Sequence, residues 1–359
     1  MDIFAGIVGF GVAGATMAIR FLEAGIPVLI FTNQKDSDSS RVAAGLLNPY
    51  APKRLMPGWR GLEFAVEAEK FYSKIQAETG IPFYINQSIY KIFPNQHYKT
   101  DWEKRQKQHP ESISEPFKSV DAPYIHAPLD GAQIYGTGVA DGKGFMDAAE
   151  KLCKGFHQFK NEVFIHQNLK VLSDGFEYGD IKFKHIIYAE GLQYVNNPLL
   201  QHLDLNPLKG DVLRIKIKDF NPSYIYQTQQ FLAKTAEEGV FKFGSTYLLE
   251  FTSAEPQKEE LAFLESKLKE MLHCEYEIIS HNAGLRPCSF DRKPYLGRIK
   301  EGLNAYVYNG LGSKGYLMAP TLSKELFEHI MHGKEIDREM NPNKLRKIKG
   351  FPKQEHQPE

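Results

Sequence analysis

The order of apolar and polar positions predicts a mixed α/β chain. Residues 3–8 (IFAGIV) and 28–32 (VLIFT) are short unbroken apolar runs, as expected of strands covered on both faces. Between them, residues 12–24 (VAGATMAIRFLEA) predict a helix, and Gly25 suits its C-terminal cap. Phe64, Ala65, Ala68, Phe71 and Ile75 recur at helical spacing and predict a helix over 61–79. A further helix is predicted near 143–157, with strands near 162–166 and 181–189. Residues 211–217, 224–233, 240–251 and 275–280 read as antiparallel strands, with a helix near 256–273. A strand at 305–309 and a helix at about 313–332 close the pattern. The charged, aromatic stretch HYKTDWEKRQKQH within 81–139 is given no regular element.

This order implies a segmented α/β unit, Rossmann-like in its first strand–helix–strand. Residues 1–80, 140–205 and 285–340 would form it. A mostly antiparallel β-sheet domain would be inserted in two pieces, 81–139 and 206–284, and 341–359 would be a polar surface tail. The length of 359 residues agrees with about two domains.

Composition narrows the function. At 42% hydrophobic and 25% charged residues, the chain is neither disordered, collagenous nor a coiled coil. Lys plus Arg equals Asp plus Glu at 44 each, so no global field draws it to nucleic acid or an anionic membrane. Cys153, Cys274 and Cys288 are odd in number and far apart, which argues against a disulfide framework or a zinc site and for a reducing, cytoplasmic setting. No metal is expected. Asp2 stands where a secretion signal needs positive charge, and Arg20 and Glu23 interrupt the first apolar stretch, so neither a signal peptide nor a membrane span is expected.

Gly9, Gly11 and Gly14 form G-F-G-V-A-G between the first strand and helix. The first allows a tight turn, the second lets a pyrophosphate approach the backbone, and the third lets helix and strand pack closely. Val12 and Ala13 open the helix, whose N–H groups and partial positive charge suit phosphate. The acidic residue that should bind a ribose at the end of the second strand is absent. Thr32 stands there, followed by Asn33, so that hydrogen bond would lack charge assistance. The fingerprint alone leaves NAD and FAD open.

Three further segments separate them: AAGLLNPY at 43–50, HNAGLRPCSFDRKPYLG at 281–297 and NGLGSKGYLMAP at 309–320. With the fingerprint, they make the chain resemble the D-amino-acid-oxidase-like family of FAD-dependent oxidoreductases, nearest its glycine oxidase and sarcosine oxidase branch. The chain also resembles the flavin domain of the bacterial enzyme that matures a modified wobble uridine in tRNA. Weaker likenesses are IIYAEG at 186–191, PLKGDVLRI at 207–215 and FKFGSTY at 241–247. The likeness covers nearly the whole chain. It implies a segmented FAD-binding domain and an antiparallel domain covering the flavin. It also implies oxidation of a carbon–nitrogen bond by hydride transfer, with dioxygen or another acceptor reoxidising the flavin.

On this resemblance the cofactor residues extend to Ala44, Gly45, Leu46, Leu47, Leu169, Ala189, Gly191, Gly310, Leu311, Gly312, Ser313, Lys314, Gly315 and Tyr316. Gly45 to Leu47 are small or apolar enough to line a flavin edge. Lys314 and the N-terminus of the following helix would stabilise negative charge on the reduced ring, a catalytic role. Arg286 matches the family arginine that grips a substrate carboxylate with a planar, two-pronged fit. An ordinary ion pair with Asp291 is the alternative. No general base stands out, and an amine able to lose its proton to solvent needs none.

Two departures bear on the substrate. Phe231 stands where glycine-oxidase-like members place a tyrosine, and a phenyl ring donates no hydrogen bond. Cys288 sits out of register with the flavin-linking cysteine of some sarcosine oxidases, so FAD bound without a covalent bond is expected. His281, Tyr247, Asn48 and Tyr50 are placed near the substrate space without a catalytic role.

The leading expectation is an oxidase or dehydrogenase of a small amine or amino acid. The alternatives are a tRNA-modifying oxidoreductase, using a basic patch of Lys53, Arg54, Lys91, Lys99, Lys104, Arg105 and Lys107, and a flavin-binding protein without turnover. The oligomeric state is left open.

Overall fold

The computed structural model describes residues 3–33, 38–51 and 56–344. An eight-stranded sheet contains Tyr295–Arg298, Ala305–Asn309, Ile181–Tyr188, Ile3–Val8, Leu29–Thr32 and Gln158–Asn161 side by side, in that order. All these neighbours are parallel except the first pair. Val8 stands opposite both Phe31 and Tyr188, so the first strand is central. Phe176–Tyr178 and Leu169–Val171 extend the sheet antiparallel.

Both faces of this sheet are covered, which is why its strands are continuous apolar runs. On one face the helices Val12–Glu23, Gly61–Thr79, Gly142–Lys154 and Gly315–His332 pack through Met17, Phe21, Phe71, Phe145 and Leu322. On the other lie Phe31, Phe164, Tyr178, Tyr188 and Leu200.

A seven-stranded sheet follows the order Glu277–Ser289, Leu205–Lys216, Val240–Gly244, Phe231–Lys234, Ile225–Gln227, Ile89–Ile92, Gly131–Ile134. Its neighbours are antiparallel except Ile225–Gln227 with Ile89–Ile92. The helix Lys258–Met271 covers one face through Leu264, Leu268 and Met271 on Leu213, Ile215 and Phe243. The other face meets the first unit. There the Lys242 ammonium donates to the Ala43 carbonyl at 2.7 Å and pairs with Asp141 at 2.9 Å, both side chains buried. A small sheet of Leu46–Leu47, Gly138–Ala140 and Tyr84–Asn86 lies beside it.

Several elements differ from their sequence reading. Residues 162–166 are not a strand; the edge strand is Gln158–Asn161, whose polar residues hide its period. Residues 224–233 divide at a turn, since Thr228 N–H donates to the Gln230 carbonyl at 2.8 Å. The strand at 240–251 stops at Gly244, while the one begun near 275–280 continues to Ser289, through the domain boundary placed at 285. The charged stretch near 100 is a helix, Gln96–Gln106, capped by Asn95 and anchored by buried Trp102. Of the expected tail, residues 345–359 lie outside the described residues. No helix among the described residues is long and apolar enough to cross a membrane.

Candidate active site

A cavity of about 3120 Å³ is lined by residues of both large sheets. The glycine turn forms one part of its wall. A Cβ on Gly14 would stand 1.9 Å from the Gly9 carbonyl oxygen, so only glycine lets the helix start this close to the first strand. Gly45 has φ +71°, and a Cβ there would meet the Ala140 carbonyl at 1.6 Å. The Val12 N–H is taken by Ser40 Oγ at 3.0 Å. Ser40 is a contact that sequence spacing does not show.

Gly9, Gly11, Val12, Ala13, Thr32, Asn33, Ala44, Gly45, Leu46, Ala189, Gly191 and the run Gly310–Tyr316 all line this cavity. Gly14 and Leu47 stand behind the wall, Leu47 in the core. Leu169 is elsewhere: it pairs with Tyr178 at the sheet's antiparallel extension, and Glu162, Val163, Phe164 and His166 occupy the wall instead. The position of the edge strand explains the difference, because Gln158–Asn161 ends well before Leu169 and the chain between them supplies the wall. His166 Nε2 lies 2.9 Å from Glu190 Oε1, a pairing between distant segments.

The residues present fit FAD. The Thr32 hydroxyl oxygen is buried at the end of its strand and has no hydrogen-bond partner among the described residues, as a ribose-binding group requires. No side chain caps the helix beginning at Gly315, and Lys314 precedes it. The Lys314 ammonium donates to the Tyr50 carbonyl at 3.3 Å. Burial pushes its pKa down, as does the nearby positive Arg292.

Arg286 projects from Glu277–Ser289 into the same cavity. Its guanidinium donates to Ser245 Oγ at 2.9 Å and to the Thr246 carbonyl at 3.4 Å, and lies 5.0 Å from the centre of the Tyr247 ring. Burial lowers its pKa, and no carboxylate among the described residues comes within ion-pair distance. Asp291 is not its partner. A buried guanidinium held by neutral groups and a ring face keeps its charge available for an anion.

Phe231 and Tyr247 line the cavity beside it, as do Asn48 and Tyr50. Asn48 Oδ1 accepts the Tyr50 N–H at 2.9 Å, a turn contact. His281 does not line the cavity; its Nε2 stands 2.9 Å from Asp211 Oδ1. Asp211 also accepts from Thr246 Oγ1 at 3.0 Å, so this network sits behind the loop that holds Arg286. Cys288 is on the cavity wall, its thiol pKa raised by burial.

The expected basic patch loses Lys91 to burial. Lys91 is buried and faces the cavity, Lys99 pairs with Asp130 at 3.4 Å, and Lys104 lies 3.8 Å from Asp101. Lys53 and Arg54 lie outside the described residues.

A family model for FAD dependent oxidoreductases matches residues 5–329. Among characterised proteins, glycine oxidase of Pseudomonas aeruginosa is 25% identical, covering 92% of this chain and 94% of that one. Glycine oxidase of Pseudomonas putida is 26% identical with the same coverage. Glycine oxidase from Geobacillus kaustophilus has the same fold, with a TM-score of 0.81 at 17% identity over 96% of this chain and 99% of that one. Iminodiacetate oxidase from Chelativorans sp. BNC1 gives 0.80 at 16% identity over 94% and 98%. With the glycine turn, the unpartnered Thr32 hydroxyl and a family match over most of its length, the chain belongs to the FAD-dependent oxidoreductases.

Proposed function

We propose that the protein oxidises a carbon–nitrogen bond of a small amine or amino acid, with FAD held non-covalently. The observation that carries this reading is Arg286, a buried guanidinium without a carboxylate partner, in the cavity that the glycine turn also lines. Similarity to glycine oxidases supports it. When bound, FAD would supply the hydride acceptor.

The protein's own groups position and stabilise. Arg286 holds the substrate carboxylate, and Ser245 and the Tyr247 ring fix the guanidinium. Phe231 packs on substrate without donating a hydrogen bond. Lys314 and the uncapped helix beside it line the cavity and would favour negative charge on a bound flavin. The eight-stranded sheet with its helices acts as the cofactor unit, and the seven-stranded sheet, whose strand Glu277–Ser289 carries Arg286, as the substrate unit.

The test is the visible spectrum of the anaerobic protein while amino acids and N-methyl amines are added. Bleaching by one of them, lost in Arg286→Ala for carboxylated compounds, is the expected result. A flavin spectrum that no amine bleaches overturns the reading and leaves a flavin-binding protein without turnover. Yellow colour retained in an acid-precipitated pellet overturns non-covalent binding.

A further inference from the structure

The cavity contains a second buried cation that substrate binding by Arg286 does not use. Lys91 stands directly opposite Gln227, and Gln227 opposite Phe231. Cross-strand partners project to one face of a sheet. The row continues through Gly244 to Val212, two residues from Gly210, over which the Arg286 guanidinium lies. Lys91, Gln227, Phe231, Val212, Gly210 and Arg286 all line the cavity.

Lys91 is 7% exposed. Its ammonium donates to the Thr228 carbonyl, and no carboxylate among the described residues is within ion-pair distance. Removing an ammonium from water without a counter-charge is unfavourable. Two neutral groups nearby are also unused. The Tyr98 hydroxyl and Gln230 Oε1 are buried without hydrogen-bond partners among the described residues, and both residues line the cavity. The Tyr98 ring packs on Phe93, two positions from Lys91 on the same face. Gln230 sits in the turn whose Thr228 holds the lysine. Water would satisfy the two neutral groups and leave the charge uncompensated.

We propose that Lys91, with the Tyr98 hydroxyl as a second donor, receives a second carboxylate of the substrate, so that the oxidised compound is an amino acid carrying another acid group at its far end; Gln230 Oε1, an acceptor, is left to water. This rests on the amine-oxidising reading above. One ammonium beside one neutral hydroxyl donor balances a single negative charge, which favours a carboxylate over a doubly charged phosphate. Four strand spacings of about 4.8 Å put the Lys91 and Gly210 strands about 19 Å apart along the sheet. The Arg286 guanidinium already lies over the Gly210 strand and the Lys91 ammonium reaches inward to the Thr228 carbonyl, so the two acids are separated by several bonds.

The experiment is calorimetric titration of the FAD-loaded protein at pH 7 with succinate, glutarate, adipate and pimelate. Each is compared with the monocarboxylate of equal length. One diacid is expected to bind at least about tenfold more tightly than its monocarboxylate, the scale of one charge-assisted hydrogen bond. Lys91→Met is expected to lose that preference and Lys91→Arg to retain it. Equal binding of diacid and monoacid by the unaltered protein overturns the proposal, as does a preference that survives in Lys91→Met. Diacids inert to oxidation make this readout independent of turnover. A diacid preference without bleaching by any amine would therefore fail the oxidase reading alone, and bleaching by amino acids without a diacid preference would fail this proposal alone.

Discussion

The guanidinium of Arg286 lies against the backbone of Gly210, so close that a Cβ on Gly210 would stand 1.9 Å from Nη2. The obstructed atom is the far end of a flexible side chain, so Gly210→Ala is accommodated by moving the arginine, not the strand. The expected result is a folded, flavin-containing protein whose KM for carboxylated amines rises at least about tenfold, because a displaced guanidinium loses its fit to the carboxylate. Steady-state kinetics beside a flavin-content measurement checks this. An unchanged KM would show that Arg286 is not the carboxylate anchor.

The contact of Lys242 with Asp141 and the Ala43 carbonyl ties the seven-stranded sheet to helix ends of the first unit. Asp141 also caps the helix Gly142–Lys154 through the Gly144 N–H at 3.0 Å. Lys242→Met leaves a buried carboxylate without its cation. The expected loss is about 3–5 kcal/mol of stability, read as a lower urea midpoint, with weaker retention of FAD. A midpoint equal to that of the unaltered protein would remove the tether from the stability argument.

Lys91 gives a pH dependence with a definite sign. Burial lowers its pKa from 10.5 to about 8. Below pH 8 both folded and unfolded chains hold the proton, and the burial penalty is fully present. Between these values the unfolded chain holds more protons, so the contribution to stability rises with pH. Each tenfold change in proton affinity is worth about 1.4 kcal/mol, so the unaltered protein should gain roughly 3 kcal/mol relative to Lys91→Met between pH 7 and 10.5. Paired urea titrations across that range measure it, and a flat difference would mean an ordinary lysine.

Thr32→Val keeps the size of the side chain and removes the unpartnered hydroxyl. If that hydroxyl binds the cofactor ribose, the dissociation constant of FAD should rise about fivefold, near 1 kcal/mol. Flavin fluorescence during dilution of the holoprotein reports the change, and an unaltered constant would assign Thr32 to packing alone.

The glycine turn, its flanking strands and the helix over 61–79 are legible in the sequence because each is specified by neighbours along the chain. Arg286 is legible through a motif. The charges around it are not. Lys91, the Lys242–Asp141 pair and the Asp211–His281 pair join segments brought together only by sheet order, and no spacing announces them. His281 is close to Arg286 in sequence, which suggests the substrate space, but a strand turns successive side chains to opposite faces and sends it to Asp211. Leu169 is misplaced by sequence reading because a polar edge strand lacks the apolar period that locates strands.

The central position of Ile3–Val8 has a consequence for biosynthesis. Ile3–Val8 and its neighbour Leu29–Thr32 are translated long before the strand on the other side, which arrives only with Phe183–Tyr188, and that strand's other neighbour comes only with Ala305–Val307. A nascent chain on the ribosome therefore holds an apolar strand with an unpaired edge for most of its synthesis. Such long-range pairings fold slowly and expose edges that associate. Because Gly310–Tyr316 also line the cavity, its wall is complete only once residue 316 has been translated, and until then an open strand edge has to be kept from other chains.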